Sequence, residues 1–86
     1  MTFQGRLKRV MRLGNLRIAD LGRLFGRRHS TVRGWVVDGR EPDGTPADVY
    51  VLLNQLGRLE DTITAKKLNR KTNRQYRLSV IQRLSL

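Results

Sequence analysis

Apolar positions recur with helical spacing from the first turn of this chain onward. Phe3, Leu7, Val10 and Met11 fall at i, i+4, i+7 and i+8, with Arg6, Lys8, Arg9 and Arg12 on the other faces. That is the stripe of an amphipathic helix, and Gly14-Asn15 supplies its stop. Ile18, Leu21 and Phe25 repeat the pattern at i, i+3 and i+7 in a second, shorter helix closed by Gly26. Val32, Trp35 and Val36 are the buried stripe of a third, which ends near Gly39. The run "REPDGTP" then reads as a loop by its Pro and Gly content. Thr45 is placed as the N-cap of a fourth helix, with Pro46 at its first position and Asp48 completing a weak capping box. Val49, Leu52, Leu53, Leu56 and Leu59 make its apolar face, and Gly57 marks the point where an interruption is expected.

The last third fits two templates. Tyr76, Leu78 and Val80 alternate as in a strand, whereas Leu68, Thr72, Tyr76, Val80 and Leu84 form a helical stripe. Helix is the favoured reading, and strand stays open. The pattern as a whole predicts an all-α fold, a small bundle of four to five helices whose main domain covers residues 1–59. A basic C-terminal extension follows over residues 60–86.

Charge narrows the function classes. Eighteen Lys+Arg against seven Asp+Glu give +11 on 86 residues. The balance is +8 over residues 1–40, −2 over 41–59 and +5 over 60–86, as if one segment faced away from a partner. A field of this sign attracts polyanions, nucleic acid first and anionic membrane second. The absence of cysteine excludes disulfides and thiolate metal sites, and one histidine builds no metal site unaided. Neither a membrane-length apolar run nor a signal-peptide core is present. A soluble, cytoplasmic protein is therefore expected, with no cofactor, metal, membrane or small-molecule ligand. The few carboxylates sit mostly in loops or caps, and His29 has no visible base or orienting partner, so no enzyme is expected.

The most informative stretch is "IADLGRLFGRRHSTVRGW", residues 18–35. Two short helices meet across a tight turn. Gly22 lies where the helices approach, and Gly26 lies where the turn asks for a positive φ. Leu21 and Phe25 face Val32 and Trp35 across the pair. With "GREP" and the helix from Pro46 behind it, the stretch resembles the phage-repressor and Cro-like family of helix-turn-helix regulators, over residues 3–58. Arg27 departs from that family's apolar residue after the turn glycine, with Leu24 available to compensate. Arg28 stands where a Ser or Thr cap is usual, so Ser30 is the expected cap of a later-starting helix.

The resemblance implies a helix around 29–38 in the major groove of double-stranded DNA. Its base contacts would come from Arg28, His29, Ser30, Arg33, Gly34 and Val37. Arg33 is the leading candidate because its fork matches guanine O6 and N7. Gly34 would bring the backbone close to the groove floor, and Val37 would touch a thymine methyl. Phosphate contacts are expected from Arg17, Arg27, Thr31 and Arg40. A second set, Lys66, Lys67, Arg70, Lys71, Arg74 and Arg77, would form a basic arm or helix face. Arg6, Arg9 and Arg12 serve equally well as phosphate clamps or as solvated charges. Trp35 shares a face with Val32 and reads as a core anchor rather than a stacking platform.

Leu78, Val80, Ile81, Leu84 and Leu86 either complete the monomer core or pair with a second copy. The family resemblance favours a homodimer reading a palindromic site. It implies a sequence-specific transcriptional repressor of phage or mobile-element origin, nucleoid-associated or in a host cytoplasm if phage-encoded. Two other readings compete. "STVRGWVVDGREP", with "NRQYRLSV" as a wing strand, is also similar to excisionase-like winged-helix architectural factors. A basic RNA-binding protein is the third reading, weakened because at least three of the five aromatics fall in core positions.

Overall fold

Each apolar stripe upstream of residue 66 becomes a helix. The computed structural model describes residues 2–68, 71 and 73–83. Its helices are α1 (Phe3–Gly14), α2 (Ile18–Phe25), α3 (His29–Val36), α4 (Pro46–Ala65) and α5 (Arg74–Gln82). The fold is all-α, and no strand occurs among the described residues.

Local chemistry sets the helix ends. Thr2 Oγ1 accepts from the Gly5 amide at 3.0 Å to start α1. Asn15, left-handed at φ 51°, ends it, a conformation Asn tolerates better than most side chains. At α4 the capping box forms as expected: Thr45 Oγ1 accepts from the Asp48 amide, and Asp48 Oδ2 accepts from the Thr45 amide, both at 3.2 Å. The interruption expected at Gly57 does not occur. Leu52, Leu56, Leu59 and Ile63 form one buried stripe on both sides of it, and that burial outweighs the modest helix penalty of a single glycine. The 59/60 boundary therefore falls inside a continuous helix.

The core joins Phe3, Leu7 and Val10 of α1 to Leu21 and Phe25 of α2 and to Val32, Trp35 and Val36 of α3. The α4 stripe closes it, together with Leu16, Leu68 and Ile81. Helix α1 is central, packing on both α3 and α4, while α2 packs on α3. The Phe3 and Trp35 rings meet edge-on, with centroids 5.4 Å apart and planes at 78°, so Trp35 is a core anchor. Burying side chains of this size contributes about 1.5–3 kcal/mol each. Their more local effect is to fix how α3 is rolled about its axis.

The C-terminal segment is helical, but on a different stripe from the one its pattern suggested. Its buried residues are Arg77 and Ile81, while Tyr76 is 53% exposed; Thr72 and Leu84 lie outside the described residues. An arginine displaces the apolar stripe because the end of α1 offers acceptors. Arg77 Nη1 donates to the Gly14 carbonyl, and in the amide orientation that satisfies the network, Asn15 Oδ1 accepts from Arg77 Nη2 at 2.8 Å. Burial pushes the Arg77 guanidinium below its usual pKa and the Arg74 charge adds to this, with Asp20 opposing. The burial cost of the charge is thus offset by satisfying a helix-terminal carbonyl. Ile81, fully buried, belongs to the monomer core. Among the described residues, no helix is long and apolar enough to cross a membrane.

Candidate nucleic-acid interface

Residues 26–28 link α2 to α3. Gly26 takes φ +64°, which glycine reaches without the usual Cβ clash. The Arg27 amide donates to the Gly22 carbonyl at 2.9 Å. Gly22 is buried, and a Cβ there would stand 3.0 Å from the Arg27 carbonyl oxygen. Its small size therefore serves the returning turn backbone rather than a helix-to-helix crossing. Arg27 itself is exposed, and the turn needs no apolar side chain there, since Leu24 packs against the core instead.

The cap expected from Ser30 is not used. Helix α3 begins at His29 behind an extended Arg28 (φ −66°, ψ 149°), with no side-chain cap. The first turn of α3 thus points its amides outward without a side chain to accept from them. Beside it, Ala19, Gly22, Arg23, Arg27 and His29 line an open concavity of about 270 Å³.

With Val32, Trp35 and Val36 turned inward, α3 has one outward side. Arg28, His29, Ser30, Thr31, Arg33 and Val37 are all exposed there, Val37 to 56%. Gly34 is the exception. Expected against a groove floor, it is buried because the Arg40 side chain lies across it, with Cδ 3.2 Å from the position of a Gly34 Cβ. Arg17, at the start of α2, and Arg40 are also exposed. Among the described residues, Arg17, Arg27, Arg28, Arg33 and Arg40 have no ion-pair partner.

The cations of the C-terminal set are used differently. Arg74, expected on a phosphate, turns inward, and its Nη2 lies 3.3 Å from Asp20 Oδ2. Asp20 is 4% exposed and also accepts from the Arg17 amide at 2.8 Å, an anion capping the first turn of α2. Arg77, expected on the same basic face, is in the core. Lys66, Lys67 and Lys71 are exposed beyond α4, and Arg70 lies outside the described residues. In α1, Arg6 is paired with Glu60 at 2.5 Å.

Sequence reasoning passed over two residues. Arg23 lines the concavity and is loosely paired with Asp20 at 3.7 Å. Its signal was helical spacing, since Ala19 and Arg23 are one turn apart on the face of α2 opposite Leu21 and Phe25. Asp20 had a weaker signal, an acidic residue in a first helical turn.

The α2–α3 side is therefore a surface of guanidinium groups, all but Arg23 without an ion-pair partner among the described residues, with a histidine, hydroxyls and one methyl-bearing side chain around an open helix N-terminus. It can neutralise phosphates, donate paired hydrogen bonds to a planar acceptor edge and make an apolar contact. No protein family, curated protein or solved structure matches this chain.

Proposed function

We propose that this chain is a sequence-specific regulator of the phage-repressor and Cro-like helix-turn-helix kind, which inserts α3 into the major groove of double-stranded DNA. One observation carries the reading: the roll of α3, fixed by Val32, Trp35 and Val36, leaves Arg28, His29, Ser30, Arg33 and Val37 outward with their arginines unpaired. Arg33 is the principal base contact, and Arg28, His29, Ser30 and Val37 read neighbouring positions. Arg17, Arg27 and Thr31, with Arg23, hold phosphates. The open amides of the first α3 turn suit a phosphate in the adjacent concavity. Lys66, Lys67 and Lys71 add backbone affinity.

Regulation is by occupancy of a promoter, and two copies bind a palindromic site. Deleting residues 76–86 would remove Arg77 and Ile81 from the core, so sedimentation of the whole chain is the measurement of dimerisation.

Fluorescence anisotropy tests the reading directly, with duplex DNA from upstream of the chain's own coding sequence, a scrambled duplex and a salt series. Expected is upstream binding that survives physiological salt and is weakened roughly 10- to 100-fold by Arg33→Ala. Equal binding to both duplexes, steep in salt and indifferent to Arg33→Ala, would mean phosphate contact alone and overturn it. Preference for structured RNA at matched salt would replace DNA with RNA as the partner.

A further inference from the structure

Helix α3 carries a notch on its outward side. Gly34 lies there one turn beyond Ser30 and adjacent to Arg33, and its cover comes from outside the helix. Arg40 Cδ, Nε and Nη1 stand 3.2, 3.8 and 3.9 Å from the position of a Gly34 Cβ. The backbone fixes this crossing. The amides of Asp38 and Arg40 both donate to the Gly34 carbonyl, at 3.1 and 3.0 Å. Gly39 turns the chain between them at φ +70°, a conformation that suits glycine. Arg40 remains exposed, with no ion-pair partner among the described residues.

Resting on the reading of α3 as a groove-inserted helix, we propose that Arg40 is a base-reading residue, laid across the recognition face by the Gly34 notch, and that its target is a guanine. A helix with its side chains is about 10–12 Å across and the major groove about 12 Å wide. A second segment can send a side chain over the helix face only where the helix has none of its own. Phosphates line the walls of the groove, whereas a guanidinium carried on the outward face of α3 arrives at the base edges together with Arg33. Its planar fork matches guanine O6 and N7, which a lysine ammonium does not reproduce.

The test starts by selecting duplexes from a randomised pool with the full chain. Anisotropy then compares the selected duplex with each single base-pair variant, for wild type, Arg40→Ala, Arg40→Lys and Gly34→Ala. Circular dichroism checks that every variant is folded. Both Arg40 variants should lose about 10- to 100-fold on the selected duplex and lose preference at one G·C pair while keeping it elsewhere. Gly34→Ala, whose added methyl presses on Arg40 Cδ, should lose less at the same pair. Combined with Arg40→Ala it should lose nothing more there. If instead Arg40→Lys keeps every preference, and Arg40→Ala weakens all duplexes alike with a salt slope lower by about 1, Arg40 is a phosphate contact. That result overturns the proposal and leaves the DNA reading standing. A pool from which the wild type selects no sequence removes both.

Discussion

The chain has two strongly basic regions, and the fold puts their arginines to opposite uses. Around α3, Arg27, Arg28, Arg33 and Arg40 are exposed and without ion-pair partners among the described residues. On α5, Arg74 pairs with the buried Asp20, and Arg77 lies at 2% exposure against the end of α1. The difference follows from what each helix packs against. Helix α3 meets the core through Val32, Trp35 and Val36, so its charges have only solvent to face. Helix α5 docks where α1 ends and α2 begins, where a carbonyl and a carboxylate wait for donors. Basic sequence is therefore a poor guide to basic surface, because a guanidinium is also a good ligand for helix termini.

The sharpest way to break this contrast is to remove one arginine from each region. Arg77→Ala strips the donor from the Gly14 carbonyl and opens a cavity, so it should cost about 2–4 kcal/mol of stability. The urea midpoint reads this, and Arg33→Ala in the same assay should stay within about 0.5 kcal/mol. Similar losses for the two variants would end the distinction between them.

A smaller effect is expected at Asp20, which joins the two regions. Asp20→Asn weakens both the cap on the Arg17 amide and the hold on Arg74, for about 1–2 kcal/mol. That corresponds to roughly 4–8 °C of melting temperature per kcal/mol. Affinity for DNA should not fall, since the variant carries one negative charge fewer. A loss of affinity without a loss of stability would place Arg74 on the binding surface instead. The smallest expected effect is a gain. Nothing lies within 4 Å of a Cβ added at Gly57, so Gly57→Ala should stabilise α4 by about 0.5–1 kcal/mol. Calorimetry would detect it, and a destabilised variant would mean that α4 is held less firmly through that turn than its buried stripe implies.

The amino-acid sequence by itself determined the first four helices, the Gly26 turn, the Thr45–Asp48 capping box and the inward face of α3. All of these rest on local periodicity and on groups at most a few residues apart, so the pattern near each residue was sufficient. Only the tertiary structure decided which face of α5 is buried, whether Gly57 breaks α4, what covers Gly34 and which arginines remain available. Arg77 meets Gly14 across 63 residues. Arg74 meets Asp20, and Arg6 meets Glu60, across 54 residues each. A long, charged side chain favours solvent on its own, and it is buried only where packed helices supply acceptors that offset its desolvation. Its place is set by whichever partner the packed helices bring within reach, and no local pattern holds that information.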